Sequence, residues 1–136
     1  MRKSRNKGKE KYGFTIIEIM TVIGIIAILA AILVPNFNKY IVDSKKVDVK
    51  SIAREFVMAV ETGEISDKVD FSDNDSVESI QKNGGEKLKV IEKYINNLDE
   101  LAKISNLTIG DAKKIVNDGK DFEIDSKGNF LKVIDN

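Results

Sequence analysis

The chain has 136 residues, so at most one small domain fits beside any long apolar stretch. Its formal charge is zero, with 22 basic and 22 acidic side chains and neither cysteine nor histidine. That excludes a disulfide framework, thiolate zinc sites, and Cys/His or Ser/His catalysis. Carboxylates, hydroxyls and lysines remain as reactive groups, and no pair of acids is singled out for glycoside chemistry. An enzyme is not expected, and no catalytic residue, metal ligand or cofactor is assigned.

The charge is unevenly spread along the chain. Residues 1–13 carry six basic side chains (Arg2, Lys3, Arg5, Lys7, Lys9 and Lys11) against one acid, Glu10. Phe14 to Val34 is then a run of 21 residues in which Glu18 is the only charge and Thr15 and Thr21 are the only other polar side chains. As a helix it reaches about 30 Å, enough to cross the hydrocarbon core of a bilayer. The basic block ahead of it places the N-terminus in the cytoplasm, although Lys39, Lys45, Lys46 and Lys50 beyond the span weaken the contrast. No small-x-small cleavage site appears near Pro35 to Asn38, so the span is expected to stay attached rather than leave as a secretory signal.

An acid at the centre of such a span costs about 2.5 to 3.5 kcal/mol, and less near its end. Glu18, one turn in, is either a snorkelling side chain or a functional one, and position alone leaves both open. Pro35 at the outer end lacks the N–H that would reach the Ala31 carbonyl, which fits a kink, a local unwinding or a helix boundary.

Gly13-Phe14-Thr15-Ile16-Ile17-Glu18, with its basic leader and an apolar run ending at Val34-Pro35-Asn36-Phe37, resembles the processing and assembly signal of type IV prepilins and pseudopilins. The resemblance covers residues 1 to about 40. It implies that a membrane prepilin peptidase cuts between Gly13 and Phe14 and methylates the new amino group of Phe14. Glycine leaves the junction open to extended binding, and the leader cations suit an anionic inner leaflet. The resemblance further implies a homopolymer in which the freed amine of Phe14 meets Glu18 of a neighbouring subunit, a pairing that would offset burial of the acid. Other implied partners are an assembly ATPase, a membrane platform protein and the membrane itself. The helix is expected to continue past Pro35, sometimes with a melted stretch before it. A glycine often found three residues beyond Gly24 is Ala27 here, so the resemblance does not fix the extent of melting.

Beyond the span, Phe37, Tyr40, Ile41, Val49, Ile52, Ala53, Phe56, Val57 and Val60 recur every three or four residues, predicting one long helix with Gly63 as its C-cap. Residues 64–85 are rich in Asp, Ser, Asn and Gly and read as a loop, or a short helix near Val77 to Lys82 closed by Gly84-Gly85. Leu88, Ile91, Ile95, Leu98 and Leu101 or Ala102 predict an amphipathic helix from Glu86 to Ile104. Asp121 to Asp125, the turn Ser126-Lys127-Gly128-Asn129 and Phe130 to Ile134 form a hairpin signal. Lys114 to Val116 reads as a third strand or, within Asp111 to Val116, as a helical turn, and the resemblance favours the strand.

The expected fold is therefore α+β: a long transmembrane-plus-protruding helix carrying a small head of one further helix and a C-terminal antiparallel hairpin or three-stranded sheet. The expected segments are a cleaved leader (1–13), a membrane or filament-core helix (14–35) and a soluble head (36–136), with the long helix continuing over 36–63 and a small α+β part over 64–136. Asp73-Asn74-Asp75 and Asp118, Asp121 and Asp125 could supply oxygen ligands for calcium, but no EF-hand pattern is present and a solvated acidic surface is the expectation. Asn106-Leu107-Thr108 has the glycosylation acceptor pattern. From residue 36 onward sixteen basic side chains face twenty acidic ones, so no nucleic-acid partner is expected.

The functional expectation is a structural subunit of a type IV pilus, held in the cytoplasmic membrane before assembly and displayed at the cell surface afterwards. The alternatives are a pseudopilin of a type II secretion or DNA-uptake system, and a monomeric membrane-anchored binding domain.

Overall fold

The computed structural model describes residues 12–135; the basic leader through Lys11, with its expected cluster of cations, lies outside the described residues. The chain forms two compact units, 1–39 and 40–136. Helix α1 (Ile16–Thr62) contributes to both.

In the first unit, Tyr12 to Thr15 are non-helical and every described residue is exposed. The β-branched isoleucines of this run are mediocre helix formers in water. In lipid the backbone must satisfy its own hydrogen bonds, and a helix does so within one segment. The helix is apolar all round, and long and apolar enough to cross a membrane. It runs through Pro35 without a break, so the local unwinding considered there is not observed. The Asn36 side-chain amide donates to the Ile32 carbonyl at 3.3 Å, supplying a bond beside the one that proline removes.

The second unit is built on the remainder of α1. Val49, Ile52, Ala53, Phe56, Val57 and Val60 are buried, as their spacing predicts. The expected apolar stripe is covered only from Val49 onward, because Phe37, Tyr40 and Ile41 are exposed. Gly63 does not cap α1. The chain continues into a π-helical turn (Gly63–Asp67), and the left-handed residue that ends it is Lys68, at φ 55°. Gly63 is buried against Val90, whose Cγ1 would lie 2.3 Å from a Cβ placed there.

α2 (Val77–Asn83) forms where the short helix was expected. Ser76 and Ser79 make a reciprocal capping box at its start, and Gly84 follows at φ 62°. The single helix expected over Glu86 to Ile104 is two elements, α3 (Gly85–Tyr94) and a 3₁₀ helix (Leu98–Ile104). Asn96 and Asn97 divide them: Asn97 is extended, and its side-chain oxygen accepts from the Asp99 N–H to start the second element. Asparagine side chains compete with the helix ladder in this way. The strand favoured at Lys114 to Val116 is instead α4 (Ile109–Asn117), capped by Thr108 Oγ1 accepting from the Asp111 N–H. The hairpin stands as expected, with β1 (Phe122–Ile124) paired antiparallel to β2 (Phe130–Val133) as a two-stranded sheet with one irregularity between Glu123 and Ile124. The head thus keeps its α+β class with more, shorter helices than anticipated.

Phe56 of α1 shares one core with Ile91, Leu101, Ile104, Leu107, Ile109, Ile115, Phe122 and Phe130. The rings of Phe122 and Phe130 stand 6.0 Å apart and tilted, within the range for favourable aromatic pairing. Lysines fasten the later elements to α1: Lys46 to Asp121 at 2.8 Å, Lys45 to the Ser126 carbonyl at 2.8 Å, and Lys103 to Asp48.

Candidate functional site

Three of the four residues singled out by the sequence, Gly13, Phe14 and Glu18, lie at the start of α1. Gly13 and Phe14 lie just ahead of the helix, exposed and non-helical, with Phe14 87% exposed. The helix opens with a reciprocal cap. The Thr15 N–H donates to Glu18 Oε2 at 3.0 Å, and the Glu18 N–H donates to Thr15 Oγ1 at 3.3 Å. The first helical bond runs from the Ile19 N–H to the Thr15 carbonyl at 3.2 Å. Thr15-x-x-Glu18 is therefore a capping box that satisfies two of the N–H groups a helix start leaves without acceptors.

Polar-residue-before-apolar-run spacing was the signal for this box, and reading Thr15 only as one polar side chain in a greasy stretch overlooked it. Thr21, the other hydroxyl of the span, returns its proton to the Ile17 carbonyl at 2.8 Å, so it adds no polar demand on its surroundings.

Phe14, Ile17, Glu18, Thr21 and Val22 line an open, mainly apolar groove of about 460 Å³. No lysine or arginine among the described residues pairs with Glu18. A carboxylate accepts about four hydrogen bonds, so the bond from Thr15 leaves capacity for a cation. Pro35, the second assembly residue proposed from sequence, lies 17 positions further along α1 and belongs to a separate stretch.

Residues 8–34 match a family model described as the prokaryotic N-terminal methylation motif. Over 51 residues the chain is 49% identical to the type IV major pilin protein PilA of Myxococcus xanthus (strain DK1622). The N-terminal segment is thus similar to that of a type IV pilin. The aligned stretch is 38% of this chain and spans 23% of the length of that pilin. No solved structure matches the chain. The matched methylation motif contains Gly13, Phe14 and Glu18 and ends at Val34, one residue short of Pro35, so the head lies beyond it.

The acids considered for calcium are drawn into other contacts. Asp75 pairs with Lys87 at 2.6 Å and Asp73 with Lys113 at 3.3 Å. The Lys46 ammonium, then the Phe122 N–H, hold the Asp121 carboxyl below its ordinary range. Asp125 is held low by backbone and side-chain hydrogen bonds from Asn129, and its carboxylate organises the hairpin turn by accepting from the Lys127 and Asn129 N–H groups. No three acids among the described residues converge as a metal-binding group. In the acceptor pattern, Asn106 is exposed in a turn, whereas Leu107 is fully buried and Thr108 caps α4.

Proposed function

We propose that the chain is a structural subunit of a type IV pilus. It is held in the cytoplasmic membrane with its N-terminus inside, cut between Gly13 and Phe14 by a prepilin peptidase, N-methylated at Phe14, and polymerised through its N-terminal helix. The observation that carries this reading is the pairing of a methylation motif with a fully exposed apolar stretch of helix, residues 16–34, whose only charge is Glu18 near its start. Such a helix needs apolar surroundings at every stage. Lipid supplies them before assembly, and parallel copies of the same helix supply them in a filament.

The cut exposes an ammonium group at Phe14, in the groove that also holds Glu18. In a polymer, that amine from one subunit meets the Glu18 carboxylate of the next. Pairing then marks the register of incoming subunits and removes the cost of an uncompensated charge in a dry core. The peptidase, an assembly ATPase and a membrane platform protein are the partners this sequence of events requires, and the chain itself has no catalytic part in it.

Mass spectrometry of the mature protein from its native cells tests the reading. The expected product starts at N-methylated Phe14. A mature chain that still carries Met1 or Arg2 is the result for a merely anchored monomer and overturns the proposal. Long fibres labelled by antibody against the head distinguish a surface pilus from a short pseudopilus.

A further inference from the structure

The capping box sits two residues from the bond to be cut, and the two facts have one consequence. Tyr12 to Thr15 lie outside the helix, and α1 opens only at Ile16. The N–H groups of the first helical turn need acceptors, most of all beside lipid, where water does not substitute. Two solutions exist. Side chains can cap the helix at Thr15, as observed through Thr15 Oγ1 and Glu18 Oε2. Otherwise the helix can extend backwards by a turn, so that the Glu18 N–H takes the Phe14 carbonyl and the Ile17 N–H takes the Gly13 carbonyl. The second solution puts the Gly13–Phe14 peptide inside the helical ladder, with its carbonyl occupied. Peptidases engage their substrates as extended chain, so an extended helix hides the bond.

We infer that Thr15 is a positioning residue for processing: by capping α1 it keeps the Gly13–Phe14 peptide extended and outside the helix, where a peptidase can engage it. The inference rests on the reading that this bond is the one cut. The two halves of the cap are separable, because the Thr15 hydroxyl accepts from the Glu18 backbone N–H, a bond that remains when the Glu18 side chain is replaced by any residue but proline. Among the described residues the approach is also sterically open, since none of them would lie within 4 Å of a Cβ placed on Gly13.

The test uses the full-length chain in membranes containing prepilin peptidase, comparing wild type with Thr15→Val, Thr15→Ser and Thr15→Asn. Valine keeps the shape of threonine and loses the acceptor, whereas serine and asparagine keep an acceptor and change the shape. Cleavage is followed by the mass of the new N-terminus, and amide exchange is read at Phe14 and Ile17. Thr15→Val is expected to be cut about fivefold more slowly, the factor that loss of a typical N-cap corresponds to. The slowing should appear as a raised KM, because fewer molecules present the competent form. Amide exchange at Ile17 should slow in the same variant, while Thr15→Ser and Thr15→Asn stay close to wild type. Wild-type speed for Thr15→Val overturns the inference, as does slowing shared equally by the serine and asparagine variants, which would mean that the peptidase reads the shape of threonine. A wild-type chain that is never cut at Gly13–Phe14 overturns the processing reading itself.

Discussion

Replacing Gly63 by alanine tests the packing that joins the end of α1 to α3. The added Cβ would lie 2.3 Å from Val90 Cγ1, and 3.4 Å from Val90 Cβ and Cγ2. Carbon atoms rest at about 3.5 to 4.0 Å, so more than about 1 Å has to open against one methyl group. Val90 is 4% exposed and lies within α3, where a β-branched side chain has one strongly preferred rotamer and yields poorly. Overpacking of this kind costs about 1 to 3 kcal/mol. Removing a glycine from helical backbone returns about 0.5 to 1 kcal/mol. Gly63→Ala is therefore expected to lower the stability of the head by about 1 to 2 kcal/mol. For a unit of this size that is a fall in Tm of about 4 to 16 °C, read by scanning calorimetry of the detergent-solubilised chain. Val90→Ala makes room for the new Cβ, so the double variant should be more stable than the sum of the single losses by about 1 kcal/mol. An unchanged Tm for Gly63→Ala, or strictly additive losses in the double variant, would refute the close approach.

Glu18→Val should still be cut and methylated, because Thr15 keeps its capping bond to the backbone, but it should fail to enter filaments; normal fibres from that variant would remove the register role of the acid. The Asp67 carboxyl is held below its ordinary value of 3.8 by the Lys93 ammonium and then the Tyr94 hydroxyl. Its contribution to stability is thus complete above pH 3.8 and is lost as the pH falls through the lower folded value. Asp67→Asn should lose less stability than wild type on acidification through that window, measured by denaturant unfolding, and an identical acid limb would count against the clamp. Calorimetric titration with millimolar calcium should show no binding heat, since the head acids are turned toward lysines and the hairpin turn, and a saturable signal would contradict that arrangement.

The apolar run was legible because its length and composition alone mark a helix long enough to cross a membrane, and a lone charge within it stands out. The buried face of α1 was legible from Val49 onward for a similar reason, since helical periodicity reports which side meets a core. Periodicity does not report whether a cover exists, and Phe37, Tyr40 and Ile41 keep the pattern while remaining exposed. Capping was the recurrent blind spot. Thr15 with Glu18, Asn97 with Asp99 and Thr108 with Asp111 each fix a helix start through a side chain two or three residues away. Apolar spacing carries no trace of such bonds. It therefore ran α3 through Asn96 and left Lys114 to Val116 open to a strand assignment. Gly63 shows the complementary limit, because a glycine placed for a neighbour's methyl group looks in sequence like one placed for its backbone angles.

The clasp that closes the head joins residues far apart in the chain, Lys46 to Asp121 and Lys45 to Ser126, separated by 75 and 81 positions. Both lysines are made well before their partners. At about 5 to 20 residues per second the delay is roughly 4 to 16 seconds. During that interval the inner face of α1, with Phe56 at its centre, has no hairpin to cover it. The head is therefore fastened only after Asp121 and Ser126 have been made, however early its lysines are ready.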